Sequence, residues 1–414
     1  MRVLHVNKYL YRRGGAEGYM LDVAGLQRDQ GHEVGFFGME HPENDTPQQF
    51  GRWFPSLVEL EPAPPGARGK ATAAARMLWS SSSRRGMEHV LEEFRPDVVH
   101  CHNIYHQLSP SMLGPIRRAG VPCVMTLHDF KLACPSYQLL DHGQLCQACV
   151  TGGTMTALKR RCKDDSLGAS ALLAIETTLH RALKAYGPVD VFVSPSRFLA
   201  DVMTRAGVFP ERMRVINHFT DVDNTPVKES PGGDLVFAGR LSREKGVDVL
   251  IDAVAAMRTG ASLDIAGDGP LRAELEAQAE QVAPGRVRFH GRLAKPELQQ
   301  LMRSSVASVV PSRWHENQPL TILESFGAAV PVVASNLGGL PELVRDGVDG
   351  LVVPHEQPTA LAAALDRLVA DPAAALAMGQ AARARVLADF STGAHLQRLG
   401  EAYDEATAHR RSAA

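Results

Sequence analysis

Residues 315–335, His315-Glu316-Asn317-Gln318-Pro319-Leu320-Thr321-Ile322-Leu323-Glu324-Ser325-Phe326-Gly327-Ala328-Ala329-Val330-Pro331-Val332-Val333-Ala334-Ser335, read as a loop, a short helix and a buried strand. Pro319 suits a first helical position, because its missing N–H would find no acceptor there. Gly327 and Pro331 close the helix. Val332–Ala334 is a short apolar run without polar alternation, the pattern of a strand covered on both faces. Glu316 then lies in the loop, and Glu324, eight residues on, lies on the second turn. The helix N-terminus between them offers free N–H groups and the positive end of a dipole, which suits a phosphate. Two carboxylates flanking a phosphate site suggest a ligand with hydroxyls on both sides of a phosphate, as in a sugar nucleotide. Taken alone, the stretch also reads as a surface helix with one capping acid and one solvated acid.

The same strand-and-helix alternation runs outward in both directions. Apolar runs in the first half are Val3–Val6, Val34–Phe37, Val98–His100, Val121–Leu127, Val191–Ser194 and Val215–Asn217. In the second half they are Leu235–Ala238, Leu263–Ala266, Val287–His290, Ala307–Val310, Val332–Ala334 and Leu351–Val353. Helical patterns separate them, which predicts two parallel, doubly wound α/β domains. Phe219–Gly233, rich in Asp, Pro and Gly, reads as the linker. The expected division is 1–217 and 218–394, with a cysteine-rich insertion at about 130–165 and a last helix at about 395–414 returning to the first domain.

The chain has 414 residues, enough for two domains of ordinary size, and a net charge of -2 that carries no nucleic-acid signature. No apolar run is long enough to span a bilayer. Met1-Arg2-Val3-Leu4-His5-Val6 reads as a strand and not as a signal peptide, so a cytoplasmic enzyme is the expectation.

In open α/β sheets ligands bind beyond the carboxyl ends of the strands, and the motifs fall there. Gly14 and Gly15 stand after the first strand and before a helix, where backbone can approach a ligand closely; a plain turn is the alternative. Gly239-Arg240-Leu241-Ser242-Arg243-Glu244-Lys245-Gly246 follows another strand. Arg240 and Lys245 could clamp a diphosphate from two sides, or be solvated charges. Gly267-Asp268-Gly269-Pro270 is a tight turn that could wall a base, and Gly291-Arg292-Leu293 could offer backbone groups to a base edge. His128 ends a strand, with His100, His102 and His106 near the end of its neighbour; a structural histidine is the competing reading.

On these motifs and their order the chain resembles the family 4 glycosyltransferases over essentially its full length. The resemblance rests on Gly14-Gly15-x-Glu17, Gly239-Arg240-Leu241-x-x-Glu244-Lys245-Gly246, Gly267-Asp268-Gly269-Pro270, and Glu316/Glu324 followed by Gly327 and Val330–Ala334. It implies a GT-B fold, two Rossmann-like domains facing across a cleft. It implies a retaining transfer of sugar from a nucleoside diphosphate sugar, most often UDP-linked, to an acceptor hydroxyl. Polysaccharide, glycolipid or secondary-metabolite biosynthesis is the expected setting, with no catalytic metal.

Carried onto this chain, the resemblance assigns Arg240 and Lys245 to the donor diphosphate and Glu324 to the ribose hydroxyls. Glu316 would meet hydroxyls of the donor sugar, Gly15 would let the first domain approach the phosphate or acceptor, and His128 would line the site near the transferred sugar. Gly14, Gly239, Gly267, Asp268, Arg292 and Leu293 complete the expected donor contacts. Many relatives have glycines after the first glutamate; here Pro319 has no N–H to donate. Contacts there fall to the amides of Gln318, Leu320 and Thr321, or to the Asn317 side chain. Asn217-His218-Phe219 likewise stands where many relatives carry Asn-Gly, which predicts a stiffer junction.

The insertion carries Cys134, Cys146, Cys149 and Cys162, spaced Cys-x11-Cys-x2-Cys-x12-Cys. Structural zinc and four reduced thiols are both compatible with this spacing. Basic and apolar residues between Ala67 and Arg85, namely Arg68, Lys70, Arg76, Met77, Leu78, Trp79, Arg84 and Arg85, read either as an ordinary solvated segment or as a peripheral contact with the inner membrane face. Rival functions are a sugar-nucleotide epimerase of the same fold and a non-catalytic nucleotide-sugar-binding protein. An NAD-dependent oxidoreductase is excluded, because no Gly-x-Gly-x-x-Gly follows the first strand.

Overall fold

The computed structural model describes residues 1–45, 48–60 and 64–412. The chain divides into two compact units: Met1–Ile216 with the residues from Leu396 on, and Asn217–His395.

In the first unit the strands are β1 (Arg2–Val6), β2 (Glu33–Phe37), β3 (Val98–Cys101), β4 (Cys123–Thr126), the hairpin pair β5 (Leu140–Asp141) and β6 (Gln144–Leu145), β7 (Val191–Ser194) and β8 (Met213–Val215). In the second they are β9 (Leu235–Ala238), β10 (Leu263–Ala266), β11 (Val287–Gly291), β12 (Ala307–Val310), β13 (Val332–Ser335) and β14 (Gly350–Val353). Every apolar run of the sequence became a strand. Several ends moved by one or two residues, and the last strand of the first unit is Met213–Val215 and not Val215–Asn217.

The sheets have the orders β2-β1-β3-β4-β7-β8 and β11-β10-β9-β12-β13-β14, all pairs parallel. Parallel strands covered by helices on both faces are buried at every position, as β3, β4, β7, β12 and β13 are. Leu4, Val6, Phe37, Val99 and Met125 lie in one core, and Leu235, Phe237, Leu263, Val309 and Val333 in the other. Each sheet reverses its winding once, between β1 and β3 and between β9 and β12. Loops diverge at such a reversal and leave a crevice at the carboxyl ends of the strands.

The helices include α1 (Gly15–Asp29), α2 (Gly66–Leu78), α3 (Leu167–Ala182), α4 (Leu320–Gly327) and α5 (Thr392–Ser412). Pro319 is not the first residue of α4 but its cap, with extended backbone at φ -68 and ψ 124. The proline ring tolerates both placements. No helix among the described residues is long and apolar enough to cross a membrane. On α2, Arg68 and Lys70 are exposed, but Arg76 is not a surface charge: its Nε donates to the Gln107 carbonyl at 3.0 Å, and Met77 is buried.

Candidate functional site

The loops after β9 and β12 flank the reversal of the second sheet, and there the structure brings Lys245 to Glu316. Lys245 Nζ lies 2.6 Å from Glu316 Oε1, and Ser312 Oγ donates to the same oxygen at 2.8 Å. Glu316 is 6% exposed. Burial works to raise its pKa, but the Lys245 ammonium, aided by the hydrogen bonds from Lys245 and Ser312, holds the carboxyl below its ordinary value. The Lys245 ammonium also sits 5.4 Å from the centre of the Trp314 ring. The groups expected on the diphosphate and on the donor sugar are thus directly paired with each other. Arg240, by contrast, is exposed and forms no ion pair among the described residues.

Close backbone packing sets this arrangement. Gly246 has φ +67, and a Cβ there would come within 2.1 Å of the Pro311 carbonyl oxygen, so only glycine lets the Lys245 turn rest on the loop after β12. Gly267, at φ +147, would meet the Gly239 carbonyl at 1.8 Å if it carried a Cβ. The Gly239 and Gly267 turns are therefore locked together, and the Gly267 N–H also donates to the Gly291 carbonyl at 2.7 Å. Asp268 serves this lock: its carbonyl accepts from the Leu241 N–H at 3.0 Å and its Oδ1 from the Gly269 N–H at 2.8 Å. Arg292 is exposed and Leu293 half-buried beside it.

Helix α4 starts just beyond Glu316. Pro319 provides no side-chain cap, and a helix start leaves its first N–H groups without intrahelical acceptors. Leu320 and Thr321 supply those groups. Glu324 is half-buried on the second turn. The Gln318 Oε1 accepts from the His218 N–H at 2.6 Å, so the carbonyl end of the side chain is committed to the chain. Its Nε2 is buried with no acceptor, a donor whose desolvation is uncompensated in the free protein. Asn317 is half-buried next to it.

Ser312, Trp314 and the pair Gly338-Gly339 escaped the sequence reading. The Gly339 N–H donates to the Glu316 carbonyl at 2.7 Å and pins the loop. The two glycines after a strand were the available signal, by analogy with Gly14-Gly15.

In the first unit, Gly14 caps α1 in an extended conformation without a side-chain cap, and Gly15 opens the helix. Both are exposed. His128 follows β4; its Nε2 lies 3.2 Å from His102 Nδ1, and the Tyr19 ring stands edge-on at 5.5 Å. His128 keeps part of its surface exposed, yet dense packing lowers its pKa to about 3, so the ring is neutral. Unlike Lys245 and Glu316, His128 and the glycine pair occupy the first unit.

The four cysteines gather in one module around the β5–β6 hairpin. Cys134 and Cys149 are buried, Cys146 and Cys162 half-buried, and none is in a disulfide. Burial, then repulsion from Cys134 and Cys146, pushes the Cys149 thiol up to about 12; burial, Asp141 and the other three thiols do the same for Cys162. Among the described residues, the group whose ligand atoms all lie within 4.8 Å of one another is His5, His100 and His102, not the cysteines.

Lys131 anchors this module to α3. Its Nζ lies 2.8 Å from Glu176 Oε2, and His106 Nδ1 lies 3.0 Å from Glu176 Oε1. Lys131 and Glu176 are both buried.

Comparison with known proteins agrees with this geometry. The profile of Glycosyltransferase Family 4 matches residues 13–224, and that of Glycosyl transferases group 1 matches residues 232–371. A glycogen synthase of Mycobacterium tuberculosis is 39% identical over 72% of the chain and 66% of its own length, so the chain spans just under two thirds of that relative. An alpha-maltose-1-phosphate synthase of the same organism is 30% identical over 71% of the chain and 75% of its own length. Among solved structures, a sucrose-phosphate synthase of Thermosynechococcus elongatus superposes with a TM-score of 0.74 at 20% identity, covering 98% of this chain and 99% of its own. The HepE protein of Anabaena, in complex with UDP and glucose, gives 0.65 at 20% identity, covering 97% and 98%. Two Rossmann-like units of GT-B type, with profiles of one enzyme class on both, show that the chain belongs to glycosyltransferase family 4.

Proposed function

We propose that the chain is a retaining glycosyltransferase that moves a sugar from a nucleoside diphosphate sugar, UDP-linked, to an acceptor hydroxyl. The observation that carries this reading is the grouping of Lys245, Glu316, unpaired Arg240 and the uncapped start of α4 at one sheet reversal. Arg240, Lys245 and the amides of Leu320 and Thr321 would gather the diphosphate and take up the charge that develops as it leaves. Glu324 would accept hydrogen bonds from ribose hydroxyls. Glu316 and the Gln318 amide would face sugar hydroxyls, with Asn317 beside them. Gly239, Gly267, Asp268, Arg292 and Leu293 would shape the base end. Gly14, Gly15 and His128 would serve the sugar and acceptor from the first unit. When diphosphate competes for the ammonium, Lys245 shifts part of its charge from Glu316 to the ligand. Relatives in complex with UDP support the choice of nucleotide.

The test begins with thermal shift across a panel of nucleoside diphosphate sugars. A donor at about a hundred times its dissociation constant stabilises by about 2.7 kcal/mol. UDP-sugars are expected to shift the midpoint, and Glu324→Ala to abolish the shift. Products with and without acceptor then decide the class. A new glycoside with the donor's anomeric configuration is expected; an altered sugar nucleotide formed from donor alone would mean an epimerase.

We further propose that Cys134, Cys146, Cys149 and Cys162 take structural zinc. Without a metal, burial and the repulsion that neighbouring thiolates would bring keep Cys149 and Cys162 protonated, which a divalent cation would reverse. Binding would require the side chains to turn inward. Elemental analysis should find about one zinc per chain, stoichiometry that follows from one four-ligand site. Zinc-free, fully active protein with four titratable thiols would end this assignment.

A further inference from the structure

Four histidines, a glutamine and a tyrosine form one continuous hydrogen-bonded chain through the first unit. His5 lies on β1, His100 on β3, His102 just beyond it, and His128 just beyond β4. His5, His100 and His102 are fully buried. His5 Nε2 is 2.8 Å from Gln27 Oε1 on α1, His5 Nδ1 is 3.1 Å from His102 Nε2, and His102 Nδ1 is 3.2 Å from His128 Nε2. At the other end, Gln27 Nε2 donates to the Tyr403 hydroxyl on α5 at 3.0 Å. Tyr403 and Thr126 hold the two nitrogens of His100, each at 2.8 Å.

A neutral imidazole has one donor and one acceptor nitrogen, so each link fixes the next. Gln27 gives its N–H to Tyr403, which leaves its carbonyl oxygen for His5. His5 therefore donates from Nε2 and accepts at Nδ1. His102 donates from Nε2 to His5 and accepts at Nδ1. His128 donates from Nε2 to His102, and its Nδ1 carries the lone pair. Tyr403 donates to His100 Nδ1, and His100 Nε2 donates to Thr126. Burial keeps the rings neutral, with His5 down to about 4 and His128 to about 3.

We propose that Gln27, acting through His5 and His102, fixes His128 as the Nε2–H tautomer, so that its ring presents Nδ1 as a hydrogen-bond acceptor. Gln27, His5, His102 and Tyr403 are then positioning residues for His128. Given the sugar-side role of His128 proposed above, on which this use rests, an acceptor nitrogen there selects a donor-sugar hydroxyl that gives its proton. The ring could instead point an N–H, and would then prefer a carbonyl or carboxylate. The rival reading of the buried trio is a metal site. It is less favoured because both ring nitrogens of His5, His100 and His102 already have protein partners.

The tautomer is read directly by long-range proton–nitrogen correlations in the full chain labelled with 15N-histidine, with His128 assigned by loss of its signals in His128→Gln. Wild type should show His128 protonated on Nε2 alone. Gln27→Met removes the directional carbonyl, and Tyr403→Phe frees the Gln27 amide to turn; each should give a mixture at His128. An even mixture halves the competent fraction and weakens apparent donor affinity about twofold. His128 protonated on Nδ1 in wild type, or an unchanged tautomer in both folded variants, would overturn the proposal. So would about one tightly held metal ion per chain whose chelation shifts the His5, His100 and His102 signals. The tautomer is measured without substrate, so the two readings separate: a fixed tautomer with normal transfer by His128→Ala would sink the sugar-side role alone.

Discussion

Lys245→Ala is expected to lower turnover by about 10²–10³-fold, the range for removing one preorganised group that meets developing charge. The variant loses two things together. The leaving diphosphate loses an ammonium, and Glu316 loses the partner that keeps it ionised. In the wild type the Glu316 carboxyl is held below its ordinary pKa. Its contribution to stability is therefore present above the unfolded value and fades as pH falls through the folded one. In the variant only burial and weaker hydrogen bonds act on it, so its pKa rises. The sign then reverses, and stability is lost as pH rises from the unfolded value through the raised folded one. Lys245 is 25% exposed at its side chain, so the stability loss should sit near or below about 3 kcal/mol, the lower end for breaking a buried pair. Lys245→Ala with Glu316→Gln should recover stability but not turnover. Steady-state kinetics and thermal melts on the two variants check this; near-normal transfer by Lys245→Ala would remove the lysine from the site.

The second large effect is on stability. Glu176→Ala strands Lys131 in the interior of the first unit and costs about 3–5 kcal/mol, because an unpaired buried charge remains. Glu176→Gln preserves shape and should be nearly as damaging. Burial works to raise the Glu176 pKa, but Lys131 and then His106 hold it at about 2. Burial lowers His106 to about 4, against the pull of Glu176. Both groups have folded pKa values below their unfolded ones, so both stabilise at neutral pH and both contributions fade on acidification. For His106 the loss runs from about pH 6.5, the unfolded value, to about 4. For Glu176 it runs from about 4.5 to about 2. The Glu176 variants should lie far below wild type at pH 7, with the gap narrowing below pH 4.5. Denaturation at pH 7, 5.5 and 4 gives the comparison. A difference under about 1 kcal/mol at pH 7, the size of an exposed pair, would mean that the pair is not buried in solution.

Much of the fold was legible because parallel strands carry their burial in consecutive residues. Val98-Val99 and Val332-Val333-Ala334 need no partner in view to be recognised. The glycine-marked turns were legible for a similar local reason, since a backbone that must touch another backbone excludes a Cβ. The pairing of Lys245 with Glu316 was not, because the residues are 71 apart and meet only through the β9–β12 reversal. The contact of the Gln318 side chain with His218, 100 residues away, was hidden by the same distance in sequence. The histidine chain was visible only as an imidazole-rich rim. Its direction depends on Gln27 and Tyr403, which no motif singles out and which sit 376 residues apart. Pro319 fits helix cap and first turn equally, so the sequence could not choose.

The most direct measurement is calorimetric titration of UDP into wild type, Arg240→Ala and Glu324→Ala. One saturable site per chain is expected in wild type. Arg240→Ala should weaken binding at least tenfold, about 1.4 kcal/mol, by loss of a charge-assisted contact to phosphate. Glu324→Ala should weaken uridine and UDP alike, because its partner is the ribose. Absence of UDP binding, or unchanged affinity in both variants, would contradict the assignment of the donor site to the loops after β9 and β12 and the start of α4.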